Sequence, residues 1–282
     1  MAQTVKIISD STCDLSKDLL EKYDISILPL HILLGETEYR DGVDITPEEI
    51  FRWSDENKTT PKTSAPSMTE AMEVMKPFLD EGREIICFSI SDSMSTSGNV
   101  MRLAAEELEA SDKVTVINSA NLSTGIGLQV IQAALLSAEG KTRAQITAAI
   151  EEIRPRVRAS FTVDTLTYLY RGGRCNAVAA LAGTMLKLHP RIVVEDGAMD
   201  ASKKYRGKLS SVILSYTKDM EDDLKNAVPD RVFITHSGCD REIVESVRSY
   251  LESLGIFNEI LETRAGGVIS SHCGPGTLGV LF

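Results

Sequence analysis

The chain has 282 residues, of which 43% are hydrophobic and 25% are charged, and it carries a formal net charge of −11 with an isoelectric point near 5.0. This composition is ordinary for a globular protein, and the length is sufficient for two domains with separate cores. The negative charge argues against binding to nucleic acid, whose phosphates attract a basic surface, and against docking to an anionic membrane.

Leader, membrane and cysteine signals predict a cytoplasmic protein. Residues 1–6 lead into a short apolar strand without the basic and apolar regions of a signal peptide. No apolar run approaches the roughly 20 residues of a spanning helix, so we expect no stable membrane insertion. The cysteines are widely spaced, odd in number and without a CxxC pair, which fits reduced thiols better than disulfides or zinc ligands. They are Cys13, Cys87, Cys175, Cys239 and Cys273.

The first half of the chain alternates predicted strands and helices. Extended segments are expected at 5–8, 25–34, 85–90 and 114–117, and helices at 15–23, 47–53, 68–79, 122–138 and 142–153. A capping box at Ser67 starts the third helix, whose methionine-rich stripe is typical of a core face. This alternation predicts parallel strands joined by right-handed crossovers. Because 154–156 ends the pattern, we expect an N-terminal α/β domain at 1–156.

The second half, 157–282, predicts an α+β domain. An extended segment at 158–163 is followed by a short helical segment, and Asp196-Gly197 between two apolar runs is a strong hairpin signal. A strand at 231–235 and a helix at 241–254 follow. Strands and helices combined with a hairpin favour this class over a second α/β unit.

Hydroxyl-rich loops follow several of the predicted strands. They cover residues 9–12, 91–98 and 118–121, and the loop 62–66 adds further hydroxyls. In an open α/β sheet, ligands bind beyond the carboxyl ends of the strands. Hydroxyls and unpaired backbone N–H groups there would suit an oxyanion without placing a full opposite charge beside it. The alternative interpretation is that these loops are ordinary helix caps and turns.

His272 lies between Gly266-Gly267 and the turn Gly274-Pro275-Gly276. Glycines let the backbone take conformations closed to other residues and let it approach a ligand closely. This setting predicts a histidine held in a defined place. A structural histidine in a tight strand turn is the alternative.

Common enzyme signatures are missing from the sequence. It has no G-x-S-x-G elbow, Walker lysine loop or HExxH, and its four histidines are not paired at ligand spacing, so we predict no metal and no cofactor. Asp10 and Asp14 could hold a cation or act as nucleophile and acid, although Asp14 also has the appearance of an N-cap. One alternative function is therefore a small-molecule phosphatase or hydrolase that uses Asp10, Asp14 and His272. Another is a carrier of some other apolar ligand.

Taken in order, the motifs resemble the DegV family. The resemblance extends over nearly the whole chain and lies in the sequence of motifs rather than in any single one. They are Asp10-Ser11-Thr12-Cys13-Asp14-Leu15, Thr63-Ser64-Ala65-Pro66-Ser67, Ser91 to Asn99, Gly172-Gly173-Arg174, and Gly266 to Gly279 with His272.

The resemblance implies two domains, an α/β domain with a parallel sheet and a second domain on a mostly antiparallel sheet, with a long-chain fatty acid held between them. It also implies a bacterial protein with no catalysis of its own, the acyl-binding component of fatty acid kinase. A separate subunit would use ATP to phosphorylate the bound carboxylate, and the acyl phosphate would feed phospholipid synthesis.

Carried over to this sequence, the family pattern assigns a carboxylate site. Thr63, Ser64 and Ser95 would donate hydrogen bonds to the carboxylate, with His272 beside them, and Arg174 would lie at the portal for phosphoryl transfer or partner docking. Thr96 is included in the site although it stands where the family usually has glycine. Gly98 similarly replaces an aromatic residue.

Overall fold

The computed structural model describes residues 5–175 and 188–282. In the described part of the chain, the strands are β1 (Val5–Asp10), β2 (Ile25–Leu28), β3 (His31–Leu34), β4 (Thr37–Arg40), β5 (Lys62–Ser64), β6 (Glu84–Ser89), β7 (Val114–Asn118), β8 (Ala159–Thr162), β9 (His189–Glu195), β10 (Ala198–Tyr205), β11 (Arg231–His236), β12 (Glu259–Arg264) and β13 (Leu278–Leu281).

The α-helices of the same residues are α1 (Lys17–Lys22), α2 (Pro47–Asn57), α3 (Met68–Asp80), α4 (Ser97–Glu107), α5 (Thr124–Ala138), α6 (Arg143–Ile153), α7 (Thr167–Gly172), α8 (Leu209–Lys218), α9 (Glu221–Lys225), α10 (Arg241–Leu254) and α11 (Gly267–Cys273). Short 3-10 turns occur at Ser11–Cys13 and Arg154–Arg156.

The N-terminal sheet is parallel, as the alternation of strands and helices predicts. Its strand order is β2-β1-β6-β7, and every neighbouring pair is parallel. Helices α3 and α4 cover one face, where Met75 and Met101 are fully buried. Helices α5 and α6 cover the other face. Helices on both faces explain why these strands read as continuous apolar runs rather than alternating ones.

The C-terminal sheet is mostly antiparallel, which confirms the predicted fold class. Its order is β10-β9-β8-β13-β11-β12, and the one parallel pair in it is β11 with β12. One face packs against α8, α9 and α10. The other face joins the N-terminal domain, since Phe161, Phe233 and Leu281 belong to the same apolar cluster as Ile126 and Val130 of α5. A single core therefore crosses from one domain to the other.

A small third sheet was not predicted from the sequence. It has the order β4-β3-β5 and is antiparallel throughout. Helix α11, from the far end of the chain, packs against this sheet and α2, and Val268 is buried with Ile32 and Ile50. The last helix of the chain is thus held by N-terminal elements.

The structure contradicts two local interpretations that the sequence left open as alternatives. His272 does not lie in a strand turn, because residues 267–273 form helix α11. Asp14 is not an N-cap: it has a left-handed φ of 52° at the end of the first 3-10 turn, and Ser16 caps α1. The capping box at Ser67 is confirmed.

Candidate functional site

A cavity of about 460 Å³ lies between the two domains. Residues from β5, from the loop between β6 and α4, from the segment after α7 and from α11 meet around it. The structure brings to this one cavity all six residues that the family pattern assigns. They are Thr63, Ser64, Ser95, Thr96, Arg174 and His272.

A hydrogen bond joins two of these residues across 209 positions of the chain. Thr63 Oγ1 and His272 Nε2 are 2.8 Å apart, whereas the buried His272 Nδ1 has no partner in the described part of the structure. A Cβ at Gly172 would collide with this nitrogen. A buried N–H without an acceptor is costly, so we assign the proton to Nε2, which donates to Thr63 Oγ1. The hydroxyl proton of Thr63 is then available to a ligand.

His272 is neutral at ordinary pH. Burial lowers its pKa from the usual 6.5 to about 4, and the positive charge of Arg174 acts in the same direction. Among the described residues that line the cavity, Arg174 is the one Lys or Arg, and it is exposed with its Nη1 donating to the carbonyl of Gly172 at 2.6 Å. The mouth of the cavity therefore offers neutral hydroxyl donors and one exposed cation, together with the exposed carboxylate of Asp92, which pairs with Arg102 at 3.2 Å.

The loop after β6 presents a second hydroxyl. The backbone N–H groups of Met94 and Ser95 both donate to the carbonyl of Ser91. Ser95 Oγ accepts from the N–H of Ser97 at 3.2 Å, which leaves its own proton free to donate. Thr96 has φ −89°, a conformation open to any residue, so this position does not require glycine.

Gly98 is required by close packing. A Cβ there would lie 2.7 Å from Ser89 Oγ and 2.8 Å from Asp92 Oδ1. An aromatic side chain could not replace it in this arrangement.

The remainder of the cavity wall is largely apolar. The apolar lining residues are Leu30, Ala65, Ile90, Met94, Leu122, Met199, Val268, Ile269 and Cys273. Leu122, Ile269 and Cys273 also line a narrow crevice that continues towards Phe161 and Leu281. Apolar surface therefore extends from the polar mouth towards the core shared by the two domains.

Of the four hydroxyl-rich loops, only two line this cavity. Residues 9–12 do not reach it, and Asn118, Ala120 and Asn121 instead line a larger cleft of about 800 Å³. That cleft has a mixed-charge lining that includes Arg154, Arg191, Glu195 and Asp223, and none of the six assigned residues reaches it. Volume alone is therefore a poor guide to the site here.

The carboxylates of the alternative hydrolase hypothesis lie away from the cavity. Asp10 and Asp14 are buried and are not among its lining residues, although His272 is. Within residues 5–175 and 188–282, no group of three or more His, Cys, Asp or Glu side chains has the arrangement to hold a metal ion. The geometry thus assembles no constellation of Asp10, Asp14 and His272.

Across the ranges that the structure describes, no helix is both long enough and apolar enough to cross a membrane.

Comparison with known proteins gives consistent matches over the full chain. The model of a family described as uncharacterised, DegV, matches residues 4–282. A DegV domain-containing protein of Clostridium perfringens is 32% identical over 278 residues, which cover 99% of this chain and 98% of that protein.

Solved structures of related proteins have a similar fold, and two of these proteins bind fatty acids. A fatty acid-binding DegV family protein from Thermus thermophilus is 32% identical, with 99% of this chain and 98% of that chain covered and a TM-score of 0.91. A stearic acid-binding protein from Eubacterium ventriosum is also 32% identical, with 98% of each chain covered and a TM-score of 0.84.

Proposed function

Because this chain belongs to the DegV family, we propose that it binds a long-chain fatty acid in the cavity between its domains. The observation that carries the proposal is the change in the cavity wall from hydroxyl donors at the mouth to apolar side chains behind them. A fatty acid has the same two parts in the same order. The relatives from Thermus thermophilus and Eubacterium ventriosum, which bind fatty acids, support this choice of ligand.

The carboxylate would be held by Thr63, Ser64, Ser95 and Thr96, with His272 behind Thr63. Since Thr63 receives a hydrogen bond from His272, its hydroxyl donates outward, and the hydroxyl of Ser95 is free to do the same. Hydrogen bonds to a charged group contribute about 1.5–3 kcal/mol each. These neutral donors would orient the head group without an ion pair.

The acyl chain would supply most of the affinity. Burying one methylene is worth about 0.8 kcal/mol, so a chain of about 14 to 16 carbons offers roughly 11–13 kcal/mol before the ordering costs are subtracted. Met94 from the N-terminal domain and Met199 from the C-terminal domain both line the cavity. Their flexible thioether side chains suit an irregular apolar ligand.

We further propose that the protein acts in the cytoplasm and presents the bound carboxylate to a separate ATP-dependent kinase subunit, and that it performs no catalysis itself. The exposed guanidinium of Arg174 at the cavity mouth supports this role, because it can pair with a phosphoryl group arriving from a partner. Acyl phosphate would be the product of the assembled system.

The head-group assignment is tested by comparing palmitate with its alcohol, which has the same chain but no carboxylate. We call the ratio of the two dissociation constants, alcohol over acid, the carboxylate preference. Thr63→Val, which loses the hydroxyl but keeps the shape, should lower this preference at least about tenfold, and Thr63→Ser should preserve it. Calorimetry measures both constants. Equal weakening of acid and alcohol by Thr63→Val would contradict the proposed role of Thr63.

A further inference from the structure

Three buried aspartates lie behind the cavity, and none of them lines it. Asp10, Asp14 and Asp41 are 0%, 5% and 2% exposed, and within residues 5–175 and 188–282 no other Asp or Glu is buried. Burial of a carboxylate is costly unless its oxygens are hydrogen-bonded. Their partners therefore show what these side chains hold in place.

Asp14 and Asp41 bind the start of the helix that carries His272. Asp14 Oδ1 accepts from the N–H of Gly266 at 2.8 Å, and Asp41 Oδ1 accepts from the N–H of Gly267 at 2.7 Å. Both aspartates come from N-terminal elements more than 200 residues away in sequence. They connect those elements directly to the backbone of α11.

The second oxygen of each of these aspartates is also bonded. Ser123 Oγ donates to Asp14 Oδ2 at 2.5 Å, and Ser11 Oγ donates to Asp41 Oδ2 at 2.7 Å. Ser11 in turn accepts from the N–H of Leu30, a residue of the cavity wall. Each carboxylate is thus fixed from both sides.

The double glycine before His272 makes these contacts possible. A Cβ at Gly266 would lie 3.0 Å from Asp14 Oδ1, and a Cβ at Gly267 would lie 2.5 Å from Ile32 Cδ1 and 2.9 Å from Asp41 Oδ1. Larger residues would push the carboxylates away from the backbone. The Gly-Gly pair therefore serves the close approach of the two aspartates and of Ile32 to the start of α11.

Asp10 performs the corresponding task for the Ser95 loop. Its Oδ2 accepts from the N–H of Ile90 and from Ser97 Oγ, each at 2.9 Å. These two residues flank Ser95 and Thr96. Its Oδ1 accepts from the N–H of Thr12 at 3.2 Å and from Thr12 Oγ1 at 2.5 Å.

We propose that Asp10, Asp14 and Asp41 are positioning residues, which hold the Ser95 loop and the His272 helix at the spacing that a single carboxylate requires. This inference rests on the proposed fatty acid function. Donors aimed at one anion must be held to within a fraction of an ångström, and side chains that are themselves fixed by packing and hydrogen bonds provide that precision. The aspartates act on the ligand only through Ser95, Thr63 and His272.

The hydrogen bonds predict different tolerance to asparagine at the three positions. At Asp14 and Asp41, one oxygen faces a backbone N–H and the other faces a serine hydroxyl, which can turn and accept from an amide. At Asp10, each oxygen faces a backbone N–H, so the amide nitrogen of asparagine would meet a donor in either orientation.

The test measures the carboxylate preference, palmitate against its alcohol, in the full chain. Asp41→Ala and Asp10→Asn should each lower the preference about tenfold, while Asp41→Asn should stay within about threefold of the wild type. Tyr216→Phe is the matched control. It removes buried hydrogen bonds to Ser160 and Val280 in the C-terminal core, so it should destabilise the fold and leave the preference unchanged.

Two substitutions that each remove a single hydrogen bond replace the aspartate variants if those do not fold. Ser11→Ala removes one hydrogen bond of Asp41, and Ser97→Ala removes one of Asp10. Each should lower the preference in the same direction but less.

The outcomes separate this inference from the proposed function. A wild type that binds neither palmitate nor its alcohol would overturn both, and one that binds palmitate no better than the alcohol would overturn the proposed carboxylate site and with it the positioning role. If the wild type has a clear preference and the Asp41 and Asp10 variants weaken acid and alcohol equally, the proposed function stands and the positioning role is wrong.

Discussion

At the scale of single residues, Nδ1 of His272 has no hydrogen-bond partner among residues 5–175 and 188–282, and this determines the direction of the hydrogen bond to Thr63. Gly172 leaves no room for a side chain beside that nitrogen, and Arg174 adds a positive charge nearby. In the proposed site, the imidazole would therefore act as a neutral donor and not as a cation that pairs with the ligand. Its contribution would be to orient the hydroxyl of Thr63.

The lowered pKa of His272 predicts a pH dependence of stability. Between pH 6.5 and about 4 the unfolded chain binds a proton at this residue and the folded protein does not, so the free energy of unfolding falls with falling pH. His272→Gln removes this contribution. The melting temperature of the wild type relative to that of His272→Gln should decline as the pH is lowered from about 7 to about 4.

Comparing the wild type with His272→Gln separates the titration of His272 from the titration of other buried groups. Burial raises the pKa of Asp41 to about 6, and its titration therefore acts in the opposite direction, but it is common to both proteins. A difference in melting temperature that stays constant over this pH range would show that His272 is not held neutral by the fold.

Arg174 tests the proposed hand-over to a kinase. Its side chain is exposed at the cavity mouth, so Arg174→Ala should spare palmitate affinity and reduce acyl phosphate formation with the partner subunit about a hundredfold or more, as expected for loss of a phosphate-binding arginine. Arg174→Lys, which keeps the charge without the planar fork, should be intermediate. Loss of palmitate affinity in Arg174→Ala would assign the residue to the binding site instead.

At the scale of elements, most predicted strands and helices of the N-terminal domain are confirmed because their signals are local, but the extended segment 25–34 divides into β2 and β3, which belong to different sheets. Apolar runs mark the buried parallel strands, and Ser67 with Glu70 forms the capping box of α3. The Asp196-Gly197 turn is confirmed for the same reason: both residues adopt the positive φ angles that a two-residue hairpin requires.

Helix α11 could not be predicted from local sequence. It has seven residues and begins with glycine, and isolated helices of this length are unstable in water. It is held by Asp14, by Asp41 and by packing against Ile32 and Ile50. The third sheet was missed because β5 has three residues and β4 is mostly exposed.

The Ser95 loop, like α11, is held by a residue that is distant in sequence. The hydroxyls of Ser91 and Ser93 both donate to the carbonyl of Gly197, more than 100 positions away, at 2.6 and 2.5 Å. This ties the Ser95 loop to the hairpin turn between β9 and β10. The serines were recognised from sequence as a polar loop, but the carbonyl that they bind belongs to the other domain.

At the scale of the whole molecule, the polar half of the candidate site was easier to predict than the apolar half. Thr63, Ser95 and His272 stand in motifs whose order is distinctive. Met199 and Ile269 carry no such signal, because an apolar residue that lines a cavity follows the same pattern as one in a solid core. The methionine-rich stripe of α3 illustrates this, since Met75 is buried in the core on the face of the sheet that α3 and α4 cover.

The central claim is that the cavity between the domains holds one long-chain fatty acid. The most direct measurement is native mass spectrometry of the protein purified without detergent, followed by denaturation and organic extraction. If the cavity is occupied in this way, the native spectrum shows a mass increment of one fatty acid per chain, which denaturation releases. A protein that is empty, and that takes up no palmitate or oleate when these are added, would contradict the central claim.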